Sequence, residues 1–232
     1  MAEIITVQQA VDMIPDGATL MIGNFVGCGN PHHLMRARAQ SGKGNFHTIH
    51  NDSSMVMSPR GTADGSEQYG LAELIHNGQI VHYTGSHLGT NSEAAALWRD
   101  GKLGVDLVPQ GSLAEMIRAG GSGLGGVLTP TGVGTEVEES PYVDRKVIIE
   151  NKEYLLMKPL HADFALLEGY KVDKAGNIWY KGTQRNFAPL MAFAADIVMV
   201  EAENLVEVGE IEPENVHTPG VLVNYIIVRE GN

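Results

Sequence analysis

Between residues 18 and 119, short apolar runs alternate with segments of helical periodicity, and few architectures accommodate that alternation. Ala18–Phe25 is mostly apolar, the pattern of a strand buried on both faces. Pro31–Ala39 follows as a helix with proline near its first turn. Asn45–Asn51 reads as a strand ending in polar residues. Glu67–His76, Ser92–Arg99 and Gln110–Ala119 are further helices, with strands between them at Gln79–Thr84 and Val105–Val108. A helix over Ile5–Ile14, broken by Pro15-Asp16-Gly17, precedes them all. Parallel strands need crossover connections, and these helices supply them. The expectation is α/β: a three-layer open, mainly parallel sheet with helices on both faces.

The second half departs from this rhythm. Gly120–Thr135 is a glycine-rich loop, expected to be mobile or to cover a ligand. Lys146–Ile149 and Tyr154–Met157, split by Glu150-Asn151-Lys152-Glu153, form a hairpin. Ala162–Val172 and Asn177–Tyr180 are strands about the turn Asp173–Gly176; Pro189–Ala194 is a helix, and Asp196–Glu201 and Val223–Val228 are strands. Without repeats, low-complexity tracts or a linker, the reading is a single domain, 1–232, carrying a small β-rich insertion.

Charge and cysteine content narrow the function classes. With 28 acidic and 16 basic residues the net charge is −12, which argues against nucleic acid as a partner. The single cysteine, Cys28, excludes an intrachain disulfide and suits a reducing compartment. Runs such as Ile197–Val200 are too short to span a bilayer, so no membrane association is expected. The first residues contain acids and no base, unlike a signal or transit peptide. A cytoplasmic protein is expected.

Ligands of open α/β sheets sit beyond the carboxyl ends of the strands. Four such ends carry polar or glycine-rich sequence: Gly23–Pro31, Asn51-Asp52, Ser86–Asn91 and Pro109-Gln110-Gly111. In the first, glycines at a strand–turn–helix junction let backbone N–H groups approach an anionic or carbonyl oxygen. The same spacing fits a plain tight turn. It is not a phosphate-binding Walker loop, since no Gly-Lys-Ser/Thr follows. Asn51 and Gln110 are neutral amides able to donate to a carboxylate or thioester oxygen without adding charge. Asn51 or Asp52 could equally cap a helix.

Other motifs point to bland roles. Gly121–Gly126 matches the dinucleotide GxGxxG pattern but follows a helix. His32 and His33 diverge on a helix, and His47 and His50 point to opposite faces of a strand. With no HExxH and no cysteine cluster, no metal is expected. Cys28 lacks an assignable base and reads as a small buried hydrophobe. A GxSxG elbow is absent. Glu136, Glu138 and Glu139 read as a solvated face.

Several segments, in order and over nearly the whole chain, resemble one family. They are Asp16-Gly17, Gly23-x-Phe25-x-x-x-Gly29-x-Pro31, Asn51-Asp52, Gly85-Ser-His-Leu-Gly-Thr-Asn91 and Pro109-Gln-Gly-Ser-Leu113. The run Ile117–Thr135 with its Leu-Thr-Pro-Thr-Gly-Val-Gly-Thr, then Arg185-Asn-Phe187 and Thr218-Pro-Gly220, complete the set. The chain resembles the α (A) subunit of class I, 3-oxoacid-type CoA-transferases. The resemblance implies transfer of CoA between short-chain carboxylic acids such as acetate, butyrate and acetoacetate, by a ping-pong route through a glutamate nucleophile. That glutamate lies in a Ser-Glu-Asn-Gly-like motif of the β half, and no such motif occurs here. The chain is therefore expected to need a β subunit, in an α2β2 or larger assembly, with coenzyme A as a substrate moiety and no metal. By the same resemblance Asn51 and Gln110 contact the acyl or CoA carbonyl. Gly23, Asn24, Phe25, Val26, Gly27, Cys28 and Gly29 bind CoA or an oxyanion. The acidity of the chain leaves the grip on the CoA phosphates to the β subunit or to a few local Lys and Arg.

Two departures stand out. The family has Gly-Gly-Phe where this chain has Gly23-Asn24-Phe25, and a side chain at 24 could change the acyl pocket or restrict the backbone. Ser53–Gly70 is longer than usual. Two other readings of the residues are a different enzyme on a related fold, such as a sugar-phosphate isomerase or ring-opening hydrolase, and a non-catalytic binding partner.

Overall fold

The computed structural model describes residues 2–54 and 70–229. The chain opens with a short strand, β1 (Glu3–Ile5), and a helix, α1 (Val7–Met13). Helix α1 begins later than the periodicity suggests because Thr6 caps it. The Thr6 hydroxyl accepts from Gln9 N at 3.1 Å, and Gln9 Oε1 accepts from Thr6 N at 2.8 Å. Ile5, expected in that helix, therefore belongs to a strand.

Regular alternation then follows: β2 (Thr19–Ile22), α2 (His32–Gln40), β3 (Phe46–Ile49), α3 (Leu71–His76), β4 (Ile80–Gly85), α4 (Ser92–Arg99), β5 (Gly104–Leu107) and α5 (Gln110–Gly121). All match expected elements; the start of the helix expected from Glu67 lies outside the described residues. Asn91 caps α4, its side-chain oxygen accepting from Glu93 N and Ala94 N. The glycine-rich segment is more ordered than a bare loop: its first residues extend α5, and Val127–Thr129 forms β6. Strands β7 (Val143–Ile149) and β8 (Lys152–Met157) join β6 in an antiparallel sheet of order β6-β8-β7. Their hairpin turns on only two residues, Glu150 (φ 50°) and Asn151 (φ 65°). This primed geometry matches the strand twist and starts β8 two residues earlier than expected, while β7 ends at Ile149 as expected and is longer at its far end.

The chain finishes with β9 (Ala162–Asp173), β10 (Ile178–Trp179), α6 (Ala188–Ala194), β11 (Ala195–Val206) and β12 (Tyr225–Val228). The main sheet has the order β1-β12-β11-β9-β2-β3-β4-β5, parallel throughout, with β10 antiparallel on β9. Helices α1 to α4 cover one face through a core that includes Leu20, Ile22, Leu34, Met35, Leu74 and Tyr83. Helices α5 and α6 and the small sheet cover the other, through Met21, Ile49, Met116, Ile117, Leu155 and Met191. This is the three-layer arrangement expected, with the β-rich insertion packed onto one outer layer.

From β2 the chain steps one way, to β3; from β9 it steps the other, to β11. The crevice for a ligand opens where the strand order reverses, beyond the carboxyl ends of this pair.

Candidate active site

The segment after β2 is a locked turn at that crevice. Phe25 and Cys28 exchange both main-chain hydrogen bonds, at 2.9 and 3.0 Å, around Val26 (φ 50°) and Gly27 (φ 95°). A β-branched residue in the left-handed region costs roughly 1–3 kcal/mol and persists only where its surroundings enforce it. Here they do. Val26 N donates to Asp52 Oδ2 at 2.9 Å, and Gly27 N donates to Asn24 Oδ1 at 2.8 Å. From the opposite side Asn186 Nδ2 donates to the Cys28 carbonyl at 3.1 Å. Gly29 (φ 78°) passes so close to Gln184 that a Cβ would lie 2.6 Å from its carbonyl oxygen.

This geometry revises the sequence expectation for Gly23–Gly29. The N–H groups of Gly23, Phe25, Val26, Gly27 and Cys28 donate within the chain, to Leu166 O, Cys28 O, Asp52, Asn24 and Phe25 O. They are therefore not free to cradle an oxyanion. The turn instead presents side chains, with Phe25 43% and Val26 39% exposed. Asn24 is fully buried beneath it, so the departure from Gly-Gly-Phe adds a brace under the turn.

Asn51 and Gln110 come together. They follow the carboxyl ends of β3 and β5, and Gln110 Nε2 donates to Asn51 Oδ1 at 2.6 Å. Ser86, after β4, donates to the Asn51 main-chain oxygen at 2.7 Å and to Asn51 Oδ1 at 3.1 Å. Asn51 is not a helix cap, nor is Asp52. The Asp52 carboxylate is buried and accepts from Ser54 N, Asn24 Nδ2, Val26 N and Asn51 Nδ2. Beneath it lies His50, fully buried, its Nδ1 2.8 Å from the Asp52 carbonyl oxygen. Burial pushes the His50 imidazole down to about 3, so it is neutral and Nδ1–H is the donor. Three strand ends are thus knitted into one polar cluster.

The far side of the turn borders a groove of about 360 Å³, lined by Gly27, Cys28, Gly29, His32 and Lys181 among others. Its floor includes Glu168, at the register position of β9 that faces Glu201 of β11. Arg229, just past β12, bridges both carboxylates, with Nε 2.9 Å from Glu201 Oε1. Glu201 also accepts from Leu34 N at 2.9 Å and lies 2.8 Å from His33 Nδ1. Burial raises the Glu168 carboxyl, while Gln184 and Arg229 oppose that rise. None of Glu168, Glu201 and Arg229 stood out in the sequence, although each acid interrupts an apolar strand, which is a readable signal.

Cys28, expected to be buried, is instead exposed, because the tight turn places it on the surface. The remaining motifs take structural roles. His47 is exposed and His50 buried, as their spacing suggested. No group of His, Cys, Asp and Glu among the described residues is arranged to hold a metal ion. Glu138 accepts from Gly134 N and pairs with Lys146 at 2.9 Å, and both hold its carboxyl below the ordinary range. Gly121–Gly126 runs from α5 towards β6 and not from a strand into a helix. No helix among the described residues is long and apolar enough to cross a membrane.

Known proteins match the chain from end to end. The chain is 42% identical over 228 residues to the acetate CoA-transferase subunit alpha of Escherichia coli K12, covering 98% of this chain and 97% of that one. It is 43% identical over 226 residues to the acetoacetyl-CoA:acetate/butyrate CoA transferase alpha subunit of Clostridium acetobutylicum, covering 97% of each. The fold superposes on an acyl-CoA transferase of Escherichia coli O157:H7, solved as a thioester complex with CoA, with a TM-score of 0.83 at 23% identity. That match takes in all of this chain and 48% of the other. Residues 4–229 match the family described as coenzyme A transferase. With a family match over nearly the whole chain and relatives at 42% and 43% identity, the chain belongs to the coenzyme A transferase family.

Proposed function

We propose that this chain is the α subunit of a cytoplasmic, two-subunit enzyme that moves CoA between short-chain carboxylates such as acetate, butyrate and acetoacetate. A β subunit would supply the glutamate nucleophile. The observation that carries this reading is the Asn51–Gln110 pair: two neutral amides hydrogen-bonded together past the ends of β3 and β5, on either side of β4. The α-subunit names of relatives that match it end to end also support it.

The chemistry follows from the pair. The partner's glutamate oxygen attacks the acyl-CoA carbonyl, the C–S bond breaks, and an acyl-glutamyl anhydride and CoA thiolate result. The thiolate then attacks the glutamyl carbonyl, releasing the first carboxylate and leaving a glutamyl thioester. The second acid runs the sequence in reverse. Each addition places negative charge on a carbonyl oxygen, and fixed neutral donors stabilise that charge more than the ground state. Among the described residues each amide uses one N–H of its NH2 group, Asn51 toward Asp52 and Gln110 toward Asn51. The second N–H of each serves the carbonyl. In this reading the exposed Phe25 and Val26 bound the acyl pocket, and Gly27–Gly29 flank bound CoA. Lys181 contributes locally to its anionic end, with the β subunit providing the rest.

The test is reconstitution. The chain alone should be inactive, and co-expression with a β subunit carrying Ser-Glu-Asn-Gly should restore CoA transfer. In that complex Asn51→Ala or Gln110→Ala should lower kcat roughly 100–1000-fold with little change in KM. Robust transfer by a preparation shown to lack β would refute the subunit assignment. Turnover at the wild-type rate in both variants would refute the carbonyl role.

A further inference from the structure

We infer that Asp52 fixes the direction in which the Asn51–Gln110 hydrogen-bond chain runs, and is thereby a positioning residue for CoA transfer. The inference rests on the reading of both amides as carbonyl donors.

The argument is one of donors and acceptors. Asp52 is 2% exposed, and every partner of its carboxylate among the described residues is a donor. Oδ1 accepts from Ser54 N at 2.8 Å and Asn24 Nδ2 at 3.3 Å; Oδ2 accepts from Val26 N at 2.9 Å and Asn51 Nδ2 at 3.2 Å. An ionised carboxylate only accepts, whereas a primary amide can be turned end for end. Asn51 must therefore offer its nitrogen to Asp52. Its oxygen is left facing Gln110 and Ser86, both of which donate to it. Gln110 in turn must lead with its nitrogen. One carboxylate at the buried end thus sets the polarity of two amides in series, and each keeps an N–H not engaged among the described residues.

In the opposite direction the chain behaves differently. Asn51 Oδ1 would turn to residue 52, and its two N–H groups would be taken up by Gln110 Oε1 and Ser86 Oγ. The donor that Asn51 offers to a carbonyl would be lost. Only the carboxylate prevents this. An asparagine at 52 has nearly the same shape but presents an NH2 group to some of the donors now satisfied, and it favours the reversed chain.

The experiment compares Asn51→Ala, Asp52→Asn and the double variant, each assembled with the β subunit. Asp52→Asn should lower kcat on the order of 10–100-fold, with KM for both substrates within about threefold. The double variant should be no slower than Asn51→Ala alone, to within about twofold, because residue 52 acts through residue 51. A wild-type kcat in Asp52→Asn, or losses that multiply in the double variant, would overturn the inference while leaving the amide roles intact. A wild-type kcat in Asn51→Ala would instead retire the carbonyl-donor reading, and this inference with it. Should Asp52→Asn fail to assemble, neutron diffraction from the wild-type complex distinguishes amide nitrogen from oxygen and decides the question directly. Asn51 Oδ1 turned toward Asp52 in that density would overturn the proposal.

Discussion

Replacing Arg229 by methionine removes the cation that bridges two buried carboxylates while keeping much of the side-chain volume. Glu201 has no exposed surface and Glu168 only 6%. They are register partners on adjacent parallel strands, whose backbones run about 4.8 Å apart, so each is the other's nearest like charge. Removing one partner from a buried ion pair costs about 3–5 kcal/mol. The lower end applies, because Arg229 is 19% exposed and Glu201 keeps Leu34 N and His33 as partners. About 3 kcal/mol in a chain of this size corresponds to a melting temperature lower by roughly 6–12 °C.

The pH dependence of this deficit has a definite sign. Burial already raises the Glu168 carboxyl, and Arg229 opposes the rise, so losing the arginine raises it further. A carboxyl raised on folding destabilises fully above its folded pKa and ceases to as pH falls through that value towards the unfolded one, about 4.3. Arg229→Met should therefore lie furthest below wild type near pH 8 and approach it near pH 5. Glu168→Gln added to Arg229→Met should recover much of the loss at pH 8. Thermal melts of the three proteins across that range provide the assay. A melting temperature for Arg229→Met equal to wild type at pH 8, or a gap that widens on acidification, would refute the reasoning.

Cys28→Ala should keep kcat within about threefold of wild type, because the main-chain atoms of residue 28 close the turn and the thiol has no assigned base; abolished turnover in an intact complex would show a chemical role for sulfur. Gly29→Ala should lower kcat more than tenfold and also reduce the melting temperature, since a Cβ there meets the Gln184 carbonyl at 2.6 Å in a left-handed backbone; wild-type kinetics would mean that the turn tolerates displacement. His50→Gln should flatten the acid limb of the stability curve. The depressed His50 pKa gives wild type stability that is present above about pH 6.5 and lost towards about 3, amounting to about 3 kcal/mol by pH 4.5. Parallel pH–stability curves for the two proteins would contradict that.

Much of the architecture was legible because local and global signals agree. Ser92–Arg99 begins at a capping asparagine, and the apolar run at Thr19–Ile22 is buried almost throughout. Strand β1 escaped notice because three residues carry no period, and only its pairing with β12 makes it a strand. Asn51 and Gln110 could be picked out because an amide at the carboxyl end of a parallel strand has left the core. The clamp on the turn could not. Asn186 reaches Cys28 across 158 residues, and that the Asp52 carboxylate gathers donors from Asn24, Val26 and Ser54 is apparent only in three dimensions. Glycines at 23, 27 and 29 suggested open N–H groups, yet the strained turn at Val26 uses those of its core internally.

The position of β1 has a consequence for how the chain acquires its structure during synthesis. Neighbours among β2 to β5 are close in sequence, so that side of the sheet can form while translation continues. β2 must then wait for Phe164–Leu166 before its other edge is covered. Glu3–Ile5 pair with Tyr225–Ile227, about 220 residues further along the chain. Ile5, 6% exposed in the finished protein, stays uncovered for nearly the whole of that interval. Pulse-labelled hydrogen exchange during refolding should accordingly protect the amides of β3 and β4 first, and those of β1 and β12 together and last. A chain made only as far as β11 carries open strand edges, and its exposure to aggregation and proteolysis is set by the time taken to deliver β12.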